Sequence, residues 1–360
     1  MERRFVPPHC PNPSCSQHLP RPDWHYKRIG FFTRHCAPQR IQRYLCLHCR
    51  RSFSTQTFSV SYWLKKPQFL CILFYRVLAC SGYRQIAREL AVSPTTVQGQ
   101  VARLGRHCLL FQHRMRPVPQ EPVVLDGFES FEYSQYFPCH FHVLVGAKSH
   151  FFYGFTDSPL RRKGSMTRFQ RRRRTELEEQ LGRPDPGSIR HEVAELLKLC
   201  GLDRGSVALH SDDHPAYPRA FRALPDVTIL HHVTSSLERR TASNPLFPVN
   251  LLDLLIRHGS ANHKRETIAF SKRRQSAVER LFILQVWRNF VKQFSERRGG
   301  GTPAQRIGLC ERALRVKEIL KSRLFPSQIR LPARLVTYYR RETKTPALGV
   351  NRAHRLSYAY

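Results

Sequence analysis

Two aspartates that close short apolar runs have the types and spacing to do chemistry. Pro122-Val123-Val124-Leu125-Asp126-Gly127 and Val207-Ala208-Leu209-His210-Ser211-Asp212 each read as a buried strand that delivers a carboxylate to the edge of a sheet. Carboxylates at the ends of adjacent strands can converge to within a few ångströms. There they can hold Mg²⁺ or Mn²⁺, hard ions that take oxygen ligands. A second constellation is built on sulfur. Cys10-Pro-Asn-Pro-Ser-Cys15 and Cys46-Leu-His-Cys49 are two cysteine knuckles whose residue types suit a tetrahedral Zn²⁺ on four thiolates. The second knuckle is the tighter, and His18, His35, Cys36 and His48 are spare donors nearby. Such an ion is structural, because it stabilises a module too small to bury a core of its own.

The composition says what those sites act on. The chain has 360 residues, enough for two or three domains, and 60 Lys+Arg against 26 Asp+Glu give a formal charge of +34. A folded protein this basic calls for a polyanion, and nucleic acid is the first candidate. A membrane is the rival, but no apolar stretch approaches the roughly 20 residues a spanning helix needs. The opening Met1-Glu-Arg-Arg-Phe-Val-Pro-Pro-His9 has no signal-peptide apolar core, so a cytoplasmic protein is expected. The 11 cysteines, an odd number scattered along the chain, fit a reducing compartment better than a disulfide framework. Cys71, Cys80, Cys108, Cys139, Cys200 and Cys310 read as apolar filler.

The elements that must position these groups lie in order along the chain. Residues 1–60 form the expected zinc ribbon, with Arg28, Arg34, Arg40, Arg43, Arg50 and Arg51 as a phosphate-facing surface. Residues 61–113 read as helices. An apolar one is expected over Trp63–Cys80. Then comes a helix-turn-helix whose second helix starts at an N-cap Ser93 followed by Pro94. Ile86, Ala87, Leu90, Val92, Val97 and Val101 would be its core. Thr95, Thr96, Gln98, Gln100 and Arg103 on that second helix would meet DNA. A proline-rich linker marks a boundary near 113–121. Beyond it, strands are expected at Val123–Asp126, Phe141–Gly146 and Phe151–Phe155, then at the run ending in Asp212 and at Val227–Leu230. A basic insertion over about 159–199, carrying Arg171, Arg172, Arg173 and Arg174, interrupts them and is read as touching phosphates. This order gives an α/β fold over 121–295, an RNase-H-like mixed sheet with flanking helices. Residues 296–360 read as a basic C-terminal tail.

On those motifs, the chain resembles the DDE transposases of small bacterial insertion sequences, which carry a zinc ribbon, a helix-turn-helix and an RNase-H-like domain in that order. Ser211-Asp-Asp-His-Pro-Ala-Tyr217 looks like the family's Thr-Asp-Gly-x-x-x-Tyr, and Arg265-Glu-Thr-Ile-Ala-Phe-Ser-Lys272 is similar to its Arg-x-x-x-x-Phe-Ser-Lys. The resemblance implies that Asp126 and Asp212 are the first two acids of a metal-binding triad. The third departs from the pattern. The family has an acid, two residues, Asn, three residues and Arg; this chain has Asn250, two residues, Asp253, three residues and Arg257. Asp253 is the expected third acid, with Glu238, Glu279 and Glu266 as alternatives. Asp213 also stands where glycine is common.

The function implied by the resemblance is that of a transposase that binds terminal inverted repeats of double-stranded DNA. It would cut and transfer strands with two Mg²⁺ or Mn²⁺ ions. It would work as a homo-oligomer on transposon ends and target, in the bacterial cytoplasm on the nucleoid. Arg257, His258, His263, Arg265 and Lys272 would neutralise phosphates. Two rivals are a transposase-derived DNA-binding regulator without chemistry, and a general RNase-H-like nuclease. The second has little use for the N-terminal third.

Overall fold

The computed structural model describes residues 5–20, 22–264, 267–297, 299–351 and 353. Alternating apolar and polar residues in the first segment produce an antiparallel sheet of β1 (Tyr26–Thr33), β2 (Arg40–Cys46) and β3 (Ser52–Ser54), in that order. Its own core is small and aromatic: Tyr44 and Trp24 both stack on Phe53, with ring centroids 5.4 and 5.8 Å apart. A module with so little apolar area needs an external tie.

Three helices follow: α1 (Phe69–Val77), α2 (Tyr83–Glu89) and α3 (Pro94–Met115). The α3 start is the expected one. Ser93 Oγ accepts from the Thr96 N–H at 3.1 Å, and Pro94 sits where its missing N–H costs nothing. Ile86, Ala87, Val97 and Val101 are buried between α2 and α3. Two boundaries differ from expectation. The first helix begins at Phe69, after Pro67, and leaves Trp63 outside. And α3 runs on well past the expected recognition helix, because Leu104, Cys108, Leu109 and Leu110 are apolar on the face that enters the molecule's main core.

The main sheet has five strands: β4 (Val123–Phe131), β5 (Pro138–Gly146), β6 (Phe152–Pro159), β7 (Gly205–Ser211) and β8 (Val227–Val233). Their order is β6-β5-β4-β7-β8. The first three form an antiparallel meander, and β7 and β8 join in parallel. Strands β5 and β6 are buried almost throughout, which follows from helices on both faces. Between β6 and β7 the basic stretch divides in two. Helix α4 (Arg168–Leu181) has no buried residue, whereas α5 (Ser188–Leu199) buries Val193, Leu196 and Leu197 against β5 and β6. Helix α6 (Ala216–Phe221) follows β7, and α7 (Phe247–Gly259) packs on β4 and β5. Helix α8 (Arg274–Val286) is buried along its whole length and lies against α3. There a Cβ on Gly105 would come 2.6 Å from the Glu279 carbonyl, so only glycine lets the two helices approach.

The chain beyond residue 296 is not a loose basic tail. It forms α9 (Pro303–Arg306), α10 (Val316–Lys321) and α11 (Ala333–Tyr339), and inserts Ile319, Leu324, Phe325, Leu335 and Tyr338 into the core. Those apolar residues are interleaved with arginines, so composition alone reads the segment as solvated. Arg334 of this segment, together with Arg274 at the start of α8, is used as well. Arg334 and Arg274 each reach Asp157 at 3.0 Å, Arg334 also reaches Glu192 at 3.0 Å, and Tyr338 Oη donates to Asp157. Asp157 is 1% exposed, and a carboxylate that deep persists only with such partners. Among the described residues, no helix is long and apolar enough to cross a membrane.

Candidate active site

The sheet register brings the first two acids together. Parallel strands β4 and β7 pair Val123 with Leu209, Val124 with His210 and Leu125 with Ser211. One residue further are Asp126, the fourth residue of β4, and Asp212, just past the carboxyl end of β7, on strands that stand about 4.8 Å apart. Ligand sites in open α/β sheets form outside such edges. Helix α7, packed on β4 and β5, carries Asp253.

The electrostatics agree with this convergence. Burial raises the Asp126 carboxyl, the Gly127 N–H (2.7 Å) lowers it, and the charges of Asp212 and Asp253 raise it again, to about 7. Arg240 lowers it slightly. Tyr217, on α6, has its hydroxyl pushed up first by burial and then by the charges of Asp126 and Asp212. Asp212 Oδ1 accepts the His214 N–H at 3.1 Å. Asp253 Oδ2 is held by Arg257 Nε at 3.1 Å, one helical turn on, while Asp253 Oδ1 is buried and has no hydrogen-bond partner. A buried carboxylate oxygen without a donor suits a cation. The residues present therefore fit a hard divalent ion by donor type. They do not yet close on one: among the described residues, only the cysteine set has all its ligand atoms within 4.8 Å of one another.

The other acids lie in different surroundings. Glu238 is exposed, in the loop after β8. Glu279 is 2% exposed on α8, bound to Arg341 at 2.7 Å and to Gln275, so its carboxyl is committed to packing. Glu266 and Arg265 lie outside the described residues. Asp213 accepts from Ser236 N (3.4 Å) and Ser236 Oγ (3.3 Å).

The sulfur site is compact. Cys10, Cys15, Cys46 and Cys49 place all four Sγ atoms within 4.8 Å, with Cys10–Cys49 at 3.6 Å and Cys15–Cys46 at 4.0 Å. Four ligands about 2.3 Å from a tetrahedral Zn²⁺ stand about 3.8 Å apart, so the set fits that ion. Burial opposes ionisation of Cys46. The N–H groups of Cys49 and His48 and the Trp24 indole, 3.4 Å away, overcome it and bring the thiol to about 7. The spare donors are used elsewhere: His18 bonds the Cys10 carbonyl and Ser327, and His48 bonds Ser16.

The expected DNA-contacting residues divide by exposure. Thr95 is exposed and Gln98 partly so, while Thr96 shares its hydroxyl with Ser93. Gln100 is 4% exposed and donates to the Lys66 carbonyl, and Arg103 donates to the carbonyls of Val60 and Tyr62. Both are turned into the protein, because that side of α3 packs on the segment before α1. His263 is likewise removed from any surface. It is 1% exposed, wedged against Phe128 and Phe141, and burial lowers it to about 3. Arg257 braces Asp253 and the His263 carbonyl. Arg171 is exposed. Arg172 and Arg173 pair with Glu176, and Arg174 reaches Glu178 at 3.5 Å. Lys272 lies over the Phe270 ring at 3.8 Å.

Sequence reasoning missed three histidines and an arginine around the acids. His140 and His142 on β5 share a 3.1 Å Nδ1–Nδ1 contact. Burial and then the nearby His214 lower His140 to about 4, so the ring is neutral near pH 7. A Cβ on Gly127 would lie 2.3 Å from His140, so glycine after Asp126 is a packing requirement. The alternation His140-x-His142 and the placement of His214 two residues after Asp212 were the available signals. Arg240 had none.

No protein-family model matches the chain, and no curated protein does. Among solved structures, it is similar to a chain in a cryo-EM structure of the simian T-cell lymphotropic virus intasome in complex with the PP2A regulatory subunit B56 gamma. The identity is 13%, covering 63% of this chain and 69% of that one, with a TM-score of 0.24. An overlay that loose carries no conclusion about this protein.

Proposed function

We propose that this protein is a DDE-type transposase, with an RNase-H-like catalytic domain over 121–295, that cuts and joins DNA strands at the ends of an insertion sequence. The observation that supports the reading is the parallel register of β4 and β7, which puts Asp126 and Asp212 one residue past the pair Leu125–Ser211, with the charges of Asp212 and Asp253 both felt at Asp126, in a protein of net charge +34. Asp126, Asp212 and Asp253 would hold two Mg²⁺ or Mn²⁺ ions. When bound, such ions activate a water or 3′-hydroxyl nucleophile and stabilise the leaving oxygen at phosphorus.

The chain's own residues supply the rest. Arg257 holds Asp253 in one rotamer through its 3.1 Å contact. Arg240 offers positive charge beside Asp126, where a phosphate would lie. His140 and His142, kept neutral by burial, fill the layer under Gly127 without adding charge. Thr95 and Gln98 at the start of α3, and Arg171 on α4, would face duplex DNA, and a structural Zn²⁺ on Cys10, Cys15, Cys46 and Cys49 would hold the ribbon. The partners are double-stranded transposon ends and target, with the protein a homo-oligomer on DNA in a bacterial cytoplasm.

One observation favours a second reading, a DNA-binding regulator without chemistry: Asp253 already has a cationic partner in Arg257. The experiment that separates them is Mn²⁺-dependent cleavage of a labelled terminal-repeat duplex by the wild type and by Asp126→Asn, Asp212→Asn and Asp253→Asn. Cleavage by the wild type alone supports the transposase. Binding without cleavage by the wild type supports the regulator, and full cleavage by Asp253→Asn removes it from the triad.

A further inference from the structure

The β1–β2 hairpin and the loop between β3 and α1 enclose a cleft of about 890 Å³ that the carboxylate chemistry does not use. Two kinds of side chain stand out in its lining, among smaller neutral ones. Phe32, Tyr62 and Trp63 present rings; Arg34, Arg43 and Lys65 present cations; and no carboxylate is among the lining residues. Trp63 is 81% exposed, and its backbone sits at φ 59, a left-handed conformation that bulky residues rarely adopt. Water gains nothing from an indole held out in this way. A flat partner would.

The rings stand on a fixed backbone. The Arg103 guanidinium donates to the carbonyls of Val60 (3.1 Å) and Tyr62, and Cys36 Sγ donates to the Leu64 carbonyl at 3.7 Å from the hairpin side. The Tyr62 and Trp63 rings meet edge to face, with centroids 6.1 Å apart and planes at 76°. Arg34 is itself pinned by the carbonyls of Ala37 and Pro38 at the hairpin tip. Pre-set rings and charges lower the ordering cost of binding.

A duplex hides the faces of its bases in its own stack, whereas an unpaired strand offers them. Aromatic platforms beside a cationic groove are the means by which proteins hold single strands. We propose that this cleft binds single-stranded DNA, with bases stacked on Trp63 and Tyr62 and the backbone running past Arg43 and Lys65. The proposal rests on the transposase reading for DNA as the partner but does not depend on the three carboxylates. Strand cleavage at a transposon end, on that reading, is the reaction that would supply an unpaired strand.

The test uses the full-length, zinc-loaded protein and fluorescence anisotropy of two labelled probes, an oligothymidine and a duplex of equal length. Trp63→Ala should weaken oligothymidine binding about ten-fold or more, Trp63→Phe should restore most of it, and duplex binding should stay unchanged. The proposal is overturned if Trp63→Ala binds oligothymidine as the wild type does, or if both probes weaken equally. It is also overturned if only an unrelated peptide or protein competes for the cleft. Loss of cleavage in Asp126→Asn with oligothymidine affinity intact supports the cleft as a site apart from the chemistry. Failure to bind either probe sinks the DNA reading and this inference together.

Discussion

Asp126→Asn should make the protein more stable and less active at once. Burial first, then the charges of Asp212 and Asp253, raise the Asp126 carboxyl from 3.8 to about 7. A folded pKa above the unfolded one means that the folded state binds this proton more tightly. The contribution to stability is therefore greatest at low pH, falls as pH rises between 3.8 and about 7, and is fully lost above that. Three units correspond to about 4 kcal/mol. Solvent still reaches part of the side chain and screens some of this, so the expected gain is about 2 kcal/mol. Asparagine keeps the acceptor for the Gly127 N–H and removes the charge. In urea unfolding at pH 8 without added divalent ions, Asp126→Asn should exceed the wild type by about 2 kcal/mol, with the gap closing toward pH 4. Adding Mg²⁺ should stabilise the wild type by mass action and leave the variant unmoved. A variant that is less stable at pH 8, or that Mg²⁺ stabilises as much as the wild type, refutes this reasoning.

Other consequences are open to measurement. Arg274→Met strips a cation from Asp157 (3.0 Å) and Glu132 (3.8 Å), both nearly sealed from solvent, and should cost about 3 kcal/mol in urea; an unchanged midpoint would show the pair to be indifferent. His107, whose Nε2–H donates to the Ile319 carbonyl at 2.8 Å, is lowered by burial to about 4. Its unfolded form protonates first, so stability should fall as pH drops from 6.5 toward 4, by about 2 kcal/mol between pH 7 and 5, and His107→Gln should flatten that slope. Cys46→Ser should abolish zinc retention in a chromogenic chelator assay, and full retention would remove the four-thiol site.

The parts legible in the sequence were those whose signal is local. Cysteine spacing announced a compact thiol cluster, and Ser93-Pro94 announced the α3 start. Apolar runs ending in Asp126 and Asp212 announced the strands of a mixed sheet. What stayed hidden depended on packing between distant segments. Gln100 and Arg103 look exposed on a helical wheel, but the segment at Val60–Lys66 folds over that side of α3. His263 sits in a basic stretch, yet the aromatic face of Phe128 and Phe141 takes it in. The arginines after residue 296 disguised a segment whose Leu335 and Tyr338 complete the core. Arg240, in the loop after β8, is close enough for its charge to be felt at Asp126, a proximity no local pattern announces.

The central claim is that Asp126, Asp212 and Asp253 together grip divalent metal, and calorimetric titration of Mn²⁺ into the zinc-loaded protein tests it most directly. The expected result is saturable binding by the wild type that Asp126→Asn abolishes and that Asp212→Asn and Asp253→Asn each weaken about ten-fold or more. Wild-type binding in all three variants, or none in the wild type with or without DNA, would contradict it.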